Sequence, residues 1–455
     1  MANNLLAGFG RVNITPPIGI GLAGYFQVRI SDGILDELES NAIAIKVGDK
    51  EAILISIDNI GFEIPIMDKI RADVSKKVGI PEDAVFVHCT HTHTGPRPSL
   101  SVEKTGENDE AADILIEYTS VFIRKVVDSA VLAHNDLAPA KMGYGVSKAE
   151  RVAFIRRYRM KDGSVKTNPG VNNPDIVAPI GVLDDSVNVI RFAREKDNIV
   201  FVNFANHPDV VGGNKISGDW PTLTRGVIEK AIDDTKVIFF NGAQGDVNHV
   251  NVHPVGGDFN DMFNDFDGCS RGYGHALHIA RVVAGAVLKV YDKVEYKEVD
   301  EIGYVQRMYN IPSNMPTPDE MPLARQIVEY HNAGRDEELP YKGMMLTTML
   351  ADARRKIRLE NGPESFEMRM SALKIGKIGI VGMPGEPFNG IGVGIKEATG
   401  YDLIIPCCIM NGRNEYFPMN NAYEEGGYEA STSNFKAGVA DHMINAGKEL
   451  LGELK

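Results

Sequence analysis

The hydrophobic pattern changes period repeatedly along the 455 residues. Ala42 to Val47 and Glu51 to Asp58 are apolar runs on either side of Gly48-Asp49-Lys50, the pattern of two strands joined by a turn. From Ile64 to Val78 apolar residues recur instead at helical spacing, and Ala84 to Cys89 returns to a compact strand. The same reading gives a long helix between Ala111 and His134, strands at Val187 to Phe192 and Ile199 to Phe204, and a helix from Pro221 to Asp233. A strand from Val237 to Asn241, an Ala- and Val-rich helix from Tyr273 to Tyr291, and two strands around Gly376-Lys377 follow. A helix from about Phe435 to Leu451 closes the pattern. This alternation predicts an α/β fold with a mixed β-sheet core flanked by helices.

Two stretches break the pattern. Val250 to Gly272 is rich in Gly and Asp, and Ser313 to Pro322 carries Pro316, Pro318 and Pro322 before a charged helical stretch that runs past Arg335. Loops of this length are usually functional or mobile, so both are expected at the rim of a site. The length alone would allow about three domains. With no clean linker and no repeat, a single catalytic unit over residues 1–455 is the expectation.

Charge and cysteine usage narrow the function classes. Lys and Arg number 48 against 62 Asp and Glu, a net charge of −14, which argues against nucleic acid because phosphate contacts need clustered cations. The first ten residues lack the basic and apolar regions of a signal peptide, and no apolar run is long enough to span a bilayer. Cys89, Cys269, Cys407 and Cys408 are sparse and unpatterned, which suits a reducing compartment and predicts a cytoplasmic protein.

The sharpest chemical signal is His88-Cys-Thr-His91-Thr-His93-Thr-Gly-Pro96, directly after a strand. In an extended chain His91 and His93 would point to one face and offer two imidazoles to a metal, on a mount stiffened by Gly95-Pro96. Asn206-His207-Pro208-Asp209 ends another apolar strand, and the proline keeps His207 out of helix. His207 gains meaning only if it meets His91 in space. Asp219, just before a helix, reads equally as an N-cap. Glu386, within Pro384-Gly385-Glu386-Pro387, occupies a constrained strand-to-helix junction where catalytic groups often sit. The stretch Phe240 to Asn248 could line a pocket or form a Gly-rich turn. Asp265-Phe-Asp267-Gly268 fails the register of a calcium loop, Gly8-Phe-Gly10 lacks the third Gly of a dinucleotide site, and there is no P-loop. The serines are not informatively spaced, which leaves a Ser-based hydrolase open.

Taken in order, Gly10-Arg-Val-Asn-Ile-Thr-Pro-Pro17, Gly24-Tyr25, His91-Thr-His93-Thr-Gly-Pro96 and Asn206-His207-Pro208 resemble the neutral/alkaline, non-lysosomal ceramidase family. Asn241-Gly-Ala-Gln-Gly-Asp246, Pro384-Gly-Glu386 and Tyr428-Glu-Ala-Ser431 continue the resemblance, which runs from about Gly8 to the last helix. It implies an α/β, zinc-dependent amidohydrolase, here in a short form corresponding to the catalytic domain without a C-terminal β-sandwich. It also implies His91, His207 and Glu386 as zinc ligands, joined by Tyr416, which stands twelve residues before Tyr428. His93 and Tyr428 would bond the substrate carbonyl or its tetrahedral intermediate. Ile155-Arg156 occupies the place of an Asn-Arg pair in the family, and Arg156 would support the same site. Asp219 and Asp246 complete the expected substrate-binding set.

Zinc so held lowers the pKa of water toward about 7 and supplies hydroxide for acyl cleavage. The expected substrate is a small-molecule acyl amide cut at its C–N bond. An ester or lactone at the same site is the alternative, and a non-catalytic binding protein that kept the fold is another. The sequence specifies no oligomeric state.

Overall fold

The computed structural model describes residues 5–26, 29–102, 104, 106, 109–255, 263–264 and 270–455. Nine strands build its main sheet: β1 (Leu5–Asn13), β2 (Glu39–Val47), β3 (Lys50–Ile57), β4 (Val85–Cys89), β5 (Ala138–Lys148), β6 (Ser186–Arg194), β7 (Asn198–Phe204), β8 (Thr235–Asn241) and β9 (Glu295–Lys297). Their order is β8-β7-β6-β5-β1-β2-β3-β4, with β9 against β5. The sheet is mixed: β3 and β4 are parallel, as are β7 and β8, while the intervening pairs are antiparallel. A second, four-stranded sheet has the order β10 (Ile302–Pro312), β11 (Ser365–Ile375), β12 (Ile378–Gly382), β13 (Leu403–Cys407).

Alternation along the strands sets the layers. Ala42 and Ala44 of β2 with Ile53 and Ile55 of β3 face helices α1 (Ile64–Val78) and α2 (Asp109–Asn135). Val200 and Val202 of β7 with Val237 and Phe239 of β8 face α3 (Asp219–Ala231) and α4 (Tyr273–Tyr291). The intervening residues Ile43, Ile45, Phe201 and Phe240 turn to the opposite face, where they meet Leu373, Ile380 and Ile405 of the second sheet. Helices α7 (Asn389–Lys396) and α8 (Val439–Glu453) cover the outer face of that sheet. The result is four layers, helices on sheet on sheet on helices. Gly10 explains how closely α2 lies on β1: a Cβ there would stand 2.1 Å from the Ser129 carbonyl oxygen. The Gly8-Phe-Gly10 pair is a packing device.

The main sheet coils until its edge strands β4 and β8 meet. The Ser56 hydroxyl donates to the Phe239 carbonyl, and the Asn241 amide donates to His88 Nε2 at 3.0 Å. That closure brings the C-terminal ends of β4, β7 and β8 to one place.

Of the segment from Val250 to Gly272, residues 256–262 and 265–269 lie outside the described residues, and with them Asp265 to Gly268 and Cys269. The stretch past Ser313 forms a helical hairpin, α5 (Met321–Asn332) and α6 (Gly343–Leu359), with a small core of Ala324, Ile327, Leu339 and Ala353. Cys89, Cys407 and Cys408 are buried and free. Among the described residues no helix is long and apolar enough to cross a membrane.

Candidate active site

Strand β4 delivers His91 through a bend. Its φ of 78° lies in the left-handed region, so the extended geometry expected for this segment does not hold. The bend is fixed by the His91 amide donating to the Asn59 carbonyl at 2.8 Å and by Nδ1 bonding the Ile60 carbonyl at 2.8 Å. The two rings still meet, with His93 Nε2 at 3.3 Å from His91 Nε2. His207 arrives from the end of β7, its ring centroid 4.7 Å from that of His91 and 5.1 Å from that of His93. Glu386 arrives from the second sheet, just beyond β12. Its short strand Glu386–Pro387 pairs with Tyr416–Phe417, which sets Glu386 beside Tyr416 in register. Glu386 Oε2 lies 3.2 Å from His91 Nε2 and 3.8 Å from His207 Nε2.

His91, His93 and His207 thus form a group that could hold a metal ion, their ligand atoms all within 4.8 Å of one another. A carbonyl only accepts, so the bond to Ile60 places a proton on His91 Nδ1; in the neutral ring this leaves a lone pair on Nε2. That lone pair faces Glu386 Oε2, a buried oxygen with no hydrogen-bond partner. Two acceptors at this distance repel unless a proton or a metal ion lies between them. Ligand atoms around a tetrahedral zinc lie about 3.3 Å apart, given zinc–ligand bonds of about 2.0–2.1 Å. The 3.2 Å between His91 Nε2 and Glu386 Oε2 and the 3.3 Å between His91 and His93 Nε2 are close to that spacing, while the 3.8 Å between His207 Nε2 and Glu386 Oε2 is wider. A ligating His almost always anchors its other nitrogen. His91 does so, His207 Nδ1 lies 3.5 Å from the Gln244 carbonyl, and His93 Nδ1 has no partner among the described residues.

Electrostatics favour neutral imidazoles at His93 and His207 beside an ionised Glu386. Burial pushes the His207 imidazole down to about 3, helped by Arg156, and holds His93 well below its ordinary range. Burial alone would raise the Glu386 carboxyl, but His91, His207 and Arg156 outweigh it and keep the group below the usual carboxylate range.

Arg156 ties the site together. Its Nε pairs with Glu429 Oε1 at 2.6 Å, its Nη2 donates to the Gly245 carbonyl at 2.7 Å, and its guanidinium bonds the Tyr416 side chain. Burial pushes the phenols of Tyr416 and Tyr428 above their ordinary value. The two rings lie 5.9 Å apart, and Tyr428 meets Phe26 edge-on at 5.8 Å. A cavity of about 70 Å³ opens between them, with His93, His207, Arg156, Tyr416 and Tyr428 in its wall.

Sequence reasoning passed over other residues of this wall. Asp209 lies there, its carboxylate 3.2 Å from His249 Nδ1, as do Phe26 and Met344 from the helical hairpin. Arg29 donates to the His93 carbonyl at 2.6 Å and stacks on Tyr25. Asp209 stands within the His207 motif and Gly24-Tyr25 within the ordered motif set, whereas Phe26, Arg29 and Met344 carry no signal in the sequence.

Asp219 and Asp246, expected at the substrate, are not brought to the cavity. Asp219 accepts from the amides of Val211 at 2.8 Å and Trp220 at 2.6 Å, bracing the loop after His207. Asp246 Oδ1 accepts from the Asn389 amide at 2.6 Å. Burial pushes both carboxyls up to about 7. The folded Asp246 therefore keeps its proton while the unfolded chain loses it near 3.8. Between these values the unfolded state binds fewer protons, so stability falls as pH rises through the window and levels off above it. Asp246→Asn is expected to flatten that fall and to exceed the parent's stability at pH 8 by about 2–4 kcal/mol. Urea unfolding at pH 5 and pH 8 checks this; equal pH slopes for parent and variant would show that Asp246 titrates normally.

A buried histidine group able to hold a metal, on a layered α/β frame, defines the class. The particular fold is that of the neutral ceramidases. The structure of neutral ceramidase from Pseudomonas aeruginosa matches with a TM-score of 0.71 at 17% identity, over 100% of this chain and 75% of that one. A ceramidase complexed with C2 gives a TM-score of 0.70 at 17% identity, over 99% and 75%. At the level of sequence, no family model and no curated protein matches.

Proposed function

We propose that the chain is a single-unit, zinc-dependent hydrolase that cleaves the C–N bond of a small acyl amide, with His91, His207, Glu386 and Tyr416 holding the ion. The observation that carries this reading is the convergence of two imidazole nitrogens on the buried Glu386 Oε2. The donor set of nitrogen, carboxylate and phenol oxygen suits a borderline ion such as zinc better than calcium. Bound zinc would supply an activated water near neutral pH and polarise a carbonyl.

The chain's own residues do the rest. Tyr428, its phenol kept protonated by burial, stands in the cavity wall and donates to the substrate carbonyl as negative charge develops there. Arg156, fixed by Glu429, orients Tyr416 and adds positive charge beside it. One such donor is typically worth about 10²–10³ in turnover. His93 starts neutral, with Nε2 turned toward the cluster, and is placed to take a proton there and return it to the leaving amine. The free, buried cysteines support a reducing, cytoplasmic setting.

The test begins with elemental analysis of protein purified without chelator, then compares turnover of matched N-acyl amides and esters before chelation, after it, and after zinc is returned. About one zinc per chain and an amide rate that vanishes and recovers are expected. Turnover of the esters alone overturns amide cleavage, and failure to take up zinc overturns the metal reading.

A further inference from the structure

The end of β8 and the turn after it have no assigned role, yet they touch the backbone of the segments that carry His91, His207 and Glu386. Asn241 Nδ2 donates to the Thr90 carbonyl at 3.2 Å, immediately before His91, and to the Asn206 carbonyl at 3.0 Å, immediately before His207. Its Oδ1 accepts from the Asn206 amide at 3.3 Å. Its own amide is held by His88 Nε2 and its carbonyl accepts from the Cys408 amide at 3.0 Å. A few residues on, the Gly245 amide donates to the Pro387 carbonyl at 2.8 Å, and the His207 amide donates to the Val247 carbonyl at 3.2 Å. Contact with the Glu386 strand is so close that a Cβ on Gly245 would lie 2.4 Å from the Glu386 carbonyl oxygen.

β4 and β7 lie in opposite halves of the main sheet, separated by five other strands in its order. No strand pairing joins β4 to β7 directly; the His93 amide donates to the Pro208 carbonyl at 3.1 Å just beyond the two ligands, and the carbonyls just before them are joined through Asn241. A fully buried amide with two donors and one acceptor, all engaged, can fix the distance between His91 and His207, and leaving any of them unpaired is costly.

We infer that Asn241 is a positioning residue that sets the separation of His91 and His207 by clamping the carbonyls just before them. The inference rests on the metal reading above. Partners that orient metal ligands typically contribute about 10–100-fold in metal affinity.

The experiment compares the parent with Asn241→Asp, which keeps the shape and the acceptor but loses both donors, and with Asn241→Ala. Asn188→Ala is the control, because Asn188 is also buried and its side chain donates to that of Asn203 within the sheet, bonding neither the residues just before His91 and His207 nor the Glu386 strand. Each protein is stripped, titrated with zinc, and loaded with cobalt(II), whose absorption spectrum reports ligand geometry; thermal melting reads stability. Both Asn241 variants should bind zinc about 10–100-fold more weakly and shift the cobalt spectrum, while Asn188→Ala loses stability alone. Parent-like affinity and spectrum in a folded Asn241→Asp overturn the inference. So does a failure of Asn241→Asp to fold while Asn188→Ala folds, since the residue then holds the sheet and not the ligands. A parent that takes up neither metal overturns the metal reading itself, and the clamp with it.

Discussion

Replacing His91 or His207 by alanine is expected to leave a folded protein that no longer retains its metal. The fold does not depend on either ring. His91→Ala leaves the Ile60 carbonyl without its hydrogen bond, a cost of about 1–3 kcal/mol, while the left-handed backbone is strained in parent and variant alike. The apolar layers on both sides of the main sheet stay intact in either variant. The loss in metal affinity is larger than that of any supporting residue, because a ligand atom disappears from a set of four. His93→Ala separates the two possible ligand sets: it should keep the metal and lose turnover. Elemental analysis with far-UV circular dichroism reads all three variants. Full zinc in both His91→Ala and His207→Ala would falsify the proposed set, and loss of metal in His93→Ala would place three imidazoles around the ion.

Much of this site was legible because strand ends are legible. His91, His207 and Glu386 each follow an apolar β run, and the ordered motifs point to the fold that the structure shows. Helices α1 and α4 match their expected spans end to end, because their apolar faces recur without interruption. Strands β1 and β5 escaped notice because Gly8, Gly10, Gly143 and Gly145 replace apolar side chains where a helix or strand edge lies against the backbone. Strand β10 is largely half-exposed and so lacks a clear apolar face. The last helix starts at Val439 and not Phe435, because Gly438 takes a φ of 106° before it. What no pattern could show is the coiling that brings β8 onto β4. For that reason Asp219 and Asp246 looked like substrate residues in sequence, while in three dimensions their carboxylates are occupied by backbone amides.

The coiled frame also makes Arg156 an expensive residue to remove. Glu429 is fully buried, so truncating Arg156 strands a carboxylate whose remaining partner is the Thr167 hydroxyl at 3.2 Å. Breaking a buried pair from one side costs about 3–5 kcal/mol, and Arg156→Ala is expected to fall in that range by urea unfolding. It should also lower turnover by about 10² or more, because Tyr416 loses the cation that orients it and the cavity loses a charge. Stability and chemistry can be separated by removing both charges. Arg156→Met with Glu429→Gln leaves no stranded ion, so most of the stability should return, as replacing a buried pair by neutral groups is often close to neutral. Turnover should not return with it. Arg156→Lys is expected to resemble the double variant in rate, since a lysine lacks the planar fork that reaches the Glu429 carboxylate, the Gly245 carbonyl and Tyr416 together. If the double variant regains the parent's rate along with its stability, Arg156 serves only to neutralise Glu429, and the charge that steadies the reacting carbonyl must come from Tyr428 and the ion alone.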